Sequence, residues 1–430
     1  MRFQSLAAWL DWQAGLNPKT IDLGLERVRL VWERMGSPAL DAAVITIAGT
    51  NGKGSSVAFA ESVLRAAGYA TGCYTSPHLV HYNERIRVDE QVVDDARICA
   101  AFERIDQARG DQPLTYFEFG TLAALWIFAQ ARLDAIVLEV GLGGRLDAVN
   151  LIDPDVALIT GIGLDHQDWL GNDIETIGAE KAGVMRAARP AVYAAHNPPA
   201  SIRKRAVELG AELLVADEDY KVLRRPEGWD LVMSGTARRA LPQPGMRGRV
   251  QIDNAAGVLV ALQCLCGRLP VDQRAVRAGL LAARLPGRFD VRPGNPTWIL
   301  DVAHNPQAAA TLNDTLGDYF SRGRTIAVCG MLVDKDAAGV AAALAKRFDA
   351  WYLVDLSQQP RGLAAARLAE LVRPALTETP LTIGSVVADT LADIAADAAP
   401  EDLVVVFGSF VTVGAAMEWL ENDLQGTAKA

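Results

Sequence analysis

A short apolar segment that leads directly into a glycine-rich turn constrains the fold of this chain more than any other feature. Residues 44–48 have the composition of a buried strand, the turn Gly49-Thr-Asn-Gly-Lys-Gly-Ser-Ser56 follows, and helical apolar spacing continues to residue 67. Glycines let several backbone N–H groups of such a turn point inward, and the helix N-terminus adds partial positive charge. This order of elements predicts a phosphate-binding loop in which Lys53 reaches terminal phosphates.

The turn also departs from the common phosphate-loop pattern. Only two residues separate Gly49 from Gly52, and Gly54 follows the lysine where Ser or Thr is usual. A glycine-rich turn without a ligand is therefore the alternative, but the strand and helix around the turn favour phosphate binding. The predicted nucleotide-binding residues of the turn are Thr50, Asn51, Gly52, Lys53, Gly54 and Ser55.

Apolar strands alternate with helical patterns along the first part of the chain. Strands are predicted at 135–140 and 156–160, with helices at 120–131 and 174–187. Continuous apolar strands between helices predict an α/β fold, with a parallel sheet covered on both faces. Between residues 220 and 250, short β-like runs broken by Pro and Gly predict a small β module of hairpins.

Length and composition predict two globular domains. The chain has 430 residues, of which 50% are hydrophobic and 22% charged, and it exceeds what one hydrophobic core usually supports. We expect a linker at 286–296, because this stretch contains three prolines and two glycines. The N-terminal domain would then span 1–285, and renewed strand–helix alternation predicts a smaller, doubly wound, Rossmann-like domain at 297–430.

Net charge and cysteine content limit which classes of partner and which cellular compartment we expect. The formal net charge is −10, which argues against a nucleic-acid partner but not against a small anionic substrate. No apolar run is long enough to span a bilayer, so we expect no membrane association. The five cysteines are scattered, and we expect buried thiols in a reducing, cytoplasmic setting.

Further short motifs occur in a fixed order around the turn and resemble one known family. With the turn itself, they are similar to the signature of the folylpolyglutamate synthase and dihydrofolate synthase family, which is related to the Mur ligases. These motifs lie at residues 21–28 (Ile-Asp-Leu-Gly-Leu-Glu-Arg-Val), 74–79, 115–118, 138–148, 165–166, 180–183, 285–289, 301–306 and 407–409.

The resemblance implies an ATP-dependent ligase that joins L-glutamate to dihydropteroate and to reduced folates through an acyl phosphate, acting as a monomer. A folylpolyglutamate synthase without the first activity is the nearest alternative. A Mur-type ligase is a weaker one, because only 48 residues precede Gly49, too few for a UDP-binding domain. A non-catalytic nucleotide-binding protein is the alternative from another class, and the presence of Lys53, Glu139, His166 and His304 argues against it.

Phosphoryl transfer of this kind needs divalent cations, and we expect two Mg²⁺ ions. Glu139 lies near the carboxyl end of the strand predicted at 135–140, where parallel sheets place their ligand sites. A carboxylate there is costly unless it is paired or bound to a metal, and we favour a metal ligand over a structural salt bridge. The resemblance adds Ser76 and His166 as metal ligands, although His is an unusual ligand for Mg²⁺.

The resemblance also assigns roles that the residues alone leave open. Lys181 alone is more often a solvated helix lysine, whereas the family implies a carbamylated side chain that supports the metal site. Arg288 alone is as readily a linker salt bridge as a nucleotide contact. The remaining implied residues are Asn254, Arg288 and Asp301 for ATP, and His304 and Ser409 for the cleft that glutamate enters.

Pterin-side recognition is implied by resemblance for three short segments that offer apolar surface and a few hydrogen-bonding groups. No Ser-His-Asp or Cys-His signature is present to suggest an enzyme nucleophile, so we expect positioning and charge stabilisation to supply the catalysis. The catalytic set is Lys53, His166, Lys181 and His304. The implied substrate-binding residues are Ile21, Asp22, Leu23, Thr115, Tyr116, Phe117, Glu118, Leu146, Asp147 and Ala148.

Overall fold

The computed structural model describes residues 2–17, 19, 21–319 and 321–427, and the chain forms two compact units. The first unit comprises Met1–His78, Tyr82–Gly245 and Gln251–Ala283. The second comprises Leu79–His81, Met246–Val250 and Arg284–Ala430.

An eight-stranded sheet organises the first unit. Its strands lie side by side in the order β4-β3-β2-β5-β1-β6-β7-β8, parallel from β2 to β8, with β3 and β4 as an antiparallel edge. Their bounds are β1 (Ala43–Ala48), β2 (Thr71–Tyr74), β3 (Ile86–Val88), β4 (Gln91–Val92), β5 (Ala135–Glu139), β6 (Val156–Ile159), β7 (Ala191–Tyr193) and β8 (Leu213–Val215). The central strands are buried along their full length because helices cover both faces.

The helices of this unit begin at polar caps in several places, such as Asp94, Asp173 and Asp272, whose carboxylates accept N–H groups of the first turn. Their bounds are α1 (Leu6–Ala14), α2 (Glu26–Arg34), α3 (Lys53–Ala66), α4 (Asp95–Arg109), α5 (Tyr116–Gln130), α6 (Gln167–Leu170), α7 (Ile174–Ala182), α8 (Ala200–Leu209), α9 (Arg249–Cys264) and α10 (Gln273–Ala282), with 3₁₀ turns at Tyr82–Arg85 and Ala148–Leu151.

The β module is a three-stranded antiparallel sheet of β9 (Tyr220–Arg225), β10 (Gly228–Met233) and β11 (Thr236–Leu241). Trp229 of β10 is fully buried, and its indole N–H donates to the Pro242 carbonyl at 2.9 Å. The buried Trp229 side chain therefore fixes one face of the module to the segment that follows β11.

A six-stranded sheet organises the second unit, in the order β12-β13-β17-β14-β15-β16, parallel except for the edge strand β12. Core residues lie on both faces, with Trp351 and Phe407 on one and Trp298 and Val404 on the other. The bounds are β12 (Asp290–Arg292), β13 (Thr297–Leu300), β14 (Thr325–Cys329), β15 (Ala350–Leu353), β16 (Leu381–Ile383), β17 (Leu403–Phe407), α11 (Pro306–Gly317), α12 (Ala337–Leu344), α13 (Ala365–Val372), α14 (Val387–Asp397) and α15 (Phe410–Thr427), with a 3₁₀ turn at Arg373–Ala375.

This architecture confirms the predicted α/β class. Strand β12 lies inside the stretch expected to be a linker and pairs with β13. The expectation of buried thiols is wrong for Cys266, which is exposed, and only partly right for half-buried Cys264. Among the described residues, no helix combines the length and apolarity needed to cross a bilayer.

Helix α10 packs closely against α3, the helix that follows the glycine-rich turn. A Cβ added at Gly279 of α10 would lie 2.5 Å from Val63 Cα, and the Ser62 hydroxyl donates to the Gly279 carbonyl at 3.0 Å. The backbones meet too closely for any larger residue, so this contact fixes where α3 lies.

Gly279→Ala should therefore lower the free energy of unfolding by about 1–3 kcal/mol, measured by urea denaturation, because the helices must move apart. Gly267→Ala is the matched control, since a Cβ there meets nothing within 4 Å. Equal stability of the two variants would contradict the close-packing account.

Candidate active site

The glycine-rich turn joins β1 to α3 and has the backbone geometry that its sequence predicts. Gly49 and Gly52 adopt φ angles of 144° and 87°, which favour glycine. A Cβ at Gly52 would lie 2.5 Å from the Asn254 side-chain oxygen, and a Cβ at Gly49 would overlap the Thr160 hydroxyl. Asn254, predicted from resemblance as an ATP residue, therefore lies directly against the turn.

The turn is tied to the segment that follows β6. The Thr50 N–H donates to the Gly161 carbonyl at 2.8 Å, and the Gly163 N–H donates to the Thr50 hydroxyl at 2.9 Å. The Thr160 hydroxyl donates to the Asn51 carbonyl at 2.6 Å. These bonds hold the turn in one shape, so its amide groups are oriented before a phosphate arrives.

Two lysines converge on the carbonyl oxygen of Gly49. Lys53 Nζ donates to the Gly49 and Thr50 carbonyls at 3.1 Å each, and Lys181 Nζ donates to the Gly49 carbonyl at 2.9 Å. The Gly49 carbonyl therefore holds two amine groups, one from α3 and one from α7, at the carboxyl end of β1, where an anionic ligand of a parallel sheet binds.

Lys181 is buried on α7, and the interpretation of it as a solvated surface lysine is wrong. Burial, which has the largest effect, and repulsion from Lys53 lower its pKa to about 7, while Asp165 and Asp147 act in the opposite direction. A substantial fraction of this amine is therefore neutral, and nucleophilic, near neutral pH.

Glu139 and Ser76 meet at the ends of two neighbouring strands. Glu139 is the last residue of β5 and is buried, and one of its carboxylate oxygens accepts the Ser76 N–H at 3.2 Å. Ser76 follows β2, which pairs with β5. A carboxylate and a hydroxyl are the hard oxygen ligands that Mg²⁺ prefers, so these residues fit the predicted metal site.

His166 lies after β6, next to Asp165. It adopts a left-handed backbone conformation with φ of 52°, and its ring Nε2 is 4.0 Å from an Asp165 carboxylate oxygen. Over the described part of the chain, no three His, Cys, Asp or Glu side chains form a ready-made metal cage. The metal role of His166 therefore rests on resemblance and stays a prediction.

The structure brings the three predicted pterin-side segments together. The N–H of Gly24, the residue that follows the first segment, donates to the Leu146 carbonyl of the third segment at 3.2 Å. Arg27 forms ion pairs with Asp22 at 2.7 Å and with Glu118 at 2.9 Å, which joins the first segment to the second.

The aromatic members of this group pack against neighbouring residues of the first unit. The Phe117 ring lies against Gly141, where a Cβ would approach it to 2.6 Å, and 5.9 Å from the Tyr74 ring. Tyr116 packs edge-on against Tyr82 at 5.6 Å. These aromatic side chains supply the apolar surface that the sequence predicted here.

Two carboxylates of the pterin-side group shape the backbone. Thr115 and Glu118 form a capping box for α5, in which a Glu118 oxygen accepts the Thr115 N–H at 2.7 Å. Asp147 accepts the N–H groups of Leu142 and Val149 at 2.8 and 2.9 Å, and its burial raises its pKa to about 7. Much of their hydrogen-bonding capacity is used within the protein.

In the second unit, the predicted residues gather where β13 and β17 end. Both Asp301 oxygens accept backbone N–H groups, of Phe289 at 2.8 Å and Ala303 at 2.9 Å, and burial raises its pKa. The Arg288 guanidinium lies 5.2 Å from the centre of the Phe410 ring. This places Arg288 close to the segment that follows β17.

His304 and Ser409 belong to the same edge of this sheet. The His304 ring nitrogen Nδ1 is 2.8 Å from the Val302 carbonyl, and the ring lies 6.2 Å from that of Phe410. Ser409 is buried and its hydroxyl accepts the Thr412 N–H at 3.0 Å. Arg288, Asp301, His304 and Ser409 thus belong to one edge of one sheet.

Several residues of the site went unnoticed in the sequence. Thr160 closes on the turn, and its position at the end of a predicted strand was the available signal. Gln251 accepts a hydrogen bond from the Asn254 side chain at 3.2 Å, and its spacing of three residues on a helix could have suggested the pair. Arg27 lies within a quoted motif, but without a role assigned to it.

Comparison with known proteins supports the predicted family along the full chain. The Mur ligase middle-domain profile matches residues 47–261, and the profile of the Mur ligase glutamate ligase domain matches residues 287–410. The dihydrofolate synthase/folylpolyglutamate synthase of Escherichia coli K12 is 45% identical over 421 residues, which cover 98% of this chain and 97% of that protein. The chain belongs to the dihydrofolate synthase/folylpolyglutamate synthase family.

Solved structures of this family share the fold. Escherichia coli FolC in complex with DHPP and ADP matches with a TM-score of 0.92 at 44% identity, over 98% of both chains. A bifunctional folylpolyglutamate synthase/dihydrofolate synthase with Mn, AMPPNP and L-glutamate bound matches with a TM-score of 0.89 at 45% identity, over 97% of this chain and 98% of that one. The predicted family and its Mur ligase fold are confirmed.

In this family member, the buried Lys181 amine should leave a pH signature in stability. Its pKa falls from the ordinary 10.5 to about 7 on folding, so the unfolded chain binds the proton more tightly between these values. The Lys181 contribution therefore disfavours folding most below pH 7 and fades as the pH rises towards 10.5.

Lys181→Met should consequently stabilise the protein, relative to the parent, most below pH 7 and progressively less up to pH 10.5, measured by urea unfolding in CO₂-free buffer. Lys204→Met, at an exposed position of α8, should show a stability difference that does not vary with pH in this way. A pH-independent difference for Lys181→Met would contradict the shifted pKa.

Proposed function

We propose that this chain joins L-glutamate to dihydropteroate, which gives dihydrofolate, and also adds glutamate to reduced folates. The chain is an ATP-dependent ligase of glutamate, as its family membership establishes. The observation that carries the proposal is the 45% identity to a bifunctional enzyme over 98% of the chain. Phosphate-loop geometry and clustered pterin-side segments support it from within the protein.

ATP binding is assigned to the turn between β1 and α3. The loop amides and the N-terminus of α3 stabilise phosphate charge, and Lys53 moves from the loop carbonyls to the terminal phosphate. Asn254, which lies against Gly52, contacts the nucleotide next to the turn. In the second unit, Arg288 and Asp301 are assigned to the nucleotide and His304 and Ser409 to glutamate, on the basis of family resemblance.

The reaction proceeds in two transfers. The pteroate or folate carboxylate oxygen attacks the γ-phosphorus, the bond to the ADP oxygen breaks, and an acyl phosphate forms. The neutral glutamate amine then attacks the acyl carbon, phosphate leaves with the bonding electrons, and the amine loses a proton as the amide forms. The protein supplies positioning and charge stabilisation, so no covalent enzyme intermediate is needed.

A divalent cation is assigned to Glu139 and Ser76, with His166 as a further ligand. When bound, the cation offsets the charge on the transferring phosphoryl group and aligns its oxygens. Relatives have been crystallised with Mn and AMPPNP, which supports a nucleotide-linked metal. We propose Mg²⁺ as the physiological ion, and two ions per site, by resemblance.

Carbamylation is proposed for Lys181. The amine is buried, its pKa of about 7 leaves a neutral fraction near neutral pH, and that form attacks CO₂ with loss of a proton. The resulting carbamate carries two oxygens next to the phosphate loop and would support a cation there. A crystal structure with metal and nucleotide that shows a plain amine at Lys181 would reject this proposal.

Phosphate release tests the function directly. Release should require ATP, L-glutamate and a pterin acid together, and mass spectrometry should find dihydrofolate from dihydropteroate and a glutamate-extended product from tetrahydrofolate. Lys53→Ala should lower kcat more than about 100-fold with unchanged circular dichroism, whereas Lys204→Ala should not. Turnover of folates alone would favour the folylpolyglutamate-only alternative, and nucleotide binding without turnover would overturn ligase activity.

Glu139→Gln should raise the Mg²⁺ concentration needed for half-maximal rate by about tenfold or more, because a neutral amide is a weaker ligand than a carboxylate. The Mg²⁺ titration is run at saturating ATP and pterin acid. Glu103→Gln, at a half-buried position of α4, provides the control. An unchanged titration for Glu139→Gln would remove Glu139 from the metal site.

A further inference from the structure

One arginine outside every assigned role links two of the pterin-side segments. Arg27 lies in the first turn of α2, next in sequence to the segment 21–23. Its Nη1 is 2.7 Å from the Asp22 carboxylate, and its Nη2 donates to the Asp22 carbonyl at 2.6 Å and to Glu118 at 2.9 Å. A single guanidinium therefore spans both segments.

The partners of Arg27 are themselves fixed. Glu118 is buried, with a side chain only 4% exposed, and its second oxygen accepts the Thr115 N–H at 2.7 Å. The carboxylate thus has a fixed position at the start of α5, and Arg27 docks on it. Burial raises the pKa of Glu118, while the Arg27 charge opposes that shift and helps to keep the carboxylate ionised.

The segment 21–23 has no other regular support. It belongs to neither a helix nor a strand. Its polar contacts are those with Arg27, an ion pair of Asp22 with the exposed Lys19 at 3.3 Å, and the neighbouring bond from Gly24 to Leu146. An ordered surface requires such ties, because an untethered segment loses conformational entropy when a ligand binds. Lysine would replace Arg27 only in part, since a single ammonium nitrogen cannot occupy the positions of both Nη1 and Nη2.

We propose that Arg27 is the positioning residue that holds segment 21–23 against α5 and thereby sets the affinity for the pterin end of the substrate. The inference rests on the proposed function and adds a residue to it. Arg27 acts through Asp22 and Glu118. It affects ground-state binding of the pterin acid and leaves the phosphoryl-transfer step unchanged.

Arg27→Gln should raise the KM for dihydropteroate and for tetrahydrofolate by about tenfold, and change kcat at saturation by less than about threefold. The KM values for ATP and glutamate should stay within about twofold of the parent, because their sites lack this contact. Arg27→Lys should give an intermediate KM, since it can pair with one carboxylate only.

Arg109→Gln is the matched control. Arg109 is a buried, ion-paired arginine of the first unit, whereas Arg27 is half-buried; Arg109 is paired with Asp106 at 2.8 Å and stacked 5.0 Å over Trp12. The Arg109→Gln variant should have a lower melting temperature and KM values near those of the parent for all substrates. An Arg27→Gln variant with the same kinetic profile as Arg109→Gln would overturn the proposal, as would equal increases in the KM for ATP.

Arg27→Lys keeps the test decisive if Arg27→Gln does not fold. An unchanged pterin KM in a folded Arg27→Lys variant would reject the positioning role, and a selective increase would support it. The parent enzyme assayed in parallel separates the two levels of inference. Absence of turnover by the parent rejects the proposed function, whereas normal parental turnover with unchanged Arg27 variants rejects this inference alone.

Discussion

The carbonyl oxygen of Gly49 is the point on which the first unit depends. It accepts hydrogen bonds from the side-chain amines of Lys53 and Lys181, one from the start of α3 and one from α7. The two amines approach one another because the lowered pKa of Lys181, about 7, reduces its charge, and because Asp165 and Asp147 offset part of the remaining repulsion. The arrangement places lysine side chains next to the loop amides and the N-terminus of α3 at the end of β1, where an acidic protein can bind an anionic nucleotide.

The position of that carbonyl follows from the sheet. In the register of the parallel strands, Ile47 of β1 pairs with Glu139 of β5, and Ala48 pairs with Ile159 of β6. The turn, the proposed metal ligand Glu139, and Thr160, whose hydroxyl bonds to the turn, therefore lie at neighbouring strand ends. Polar groups from distant parts of the chain meet there because parallel strands end at a common edge.

The sequence predicted the elements best where the hydrophobic periodicity and the residues that end a helix or strand agree. The strands predicted at 44–48, 135–140 and 156–160 are found at Ala43–Ala48, Ala135–Glu139 and Val156–Ile159, each within one residue at either end, because uninterrupted apolar runs bounded by polar residues have few other interpretations. Helix α5 begins four residues earlier than predicted, since Thr115 and Glu118 form a capping box that the motif itself spelled out. Helix α7 ends at Ala182, where Gly183 packs against Arg145.

Contacts between residues that are distant in the chain account for what the sequence did not predict. The burial of Lys181 depends on where α7 packs, and a local pattern carries no record of that. The paired roles of Arg27 and Glu118 likewise appear only when α2 and α5 are placed side by side. The sequence predicted most of the residues at the proposed site, whereas the contacts between them depend on the tertiary fold.

The contact between Gly52 and Asn254 has a consequence for how this protein can change over time. A side chain at position 52 would strike the amide of Asn254, and shortening Asn254 alone would open a gap beside the phosphate loop. The two positions lie far apart in the chain, yet mutational drift at either one depends on the other. Across related lineages they should covary as a pair or stay fixed together.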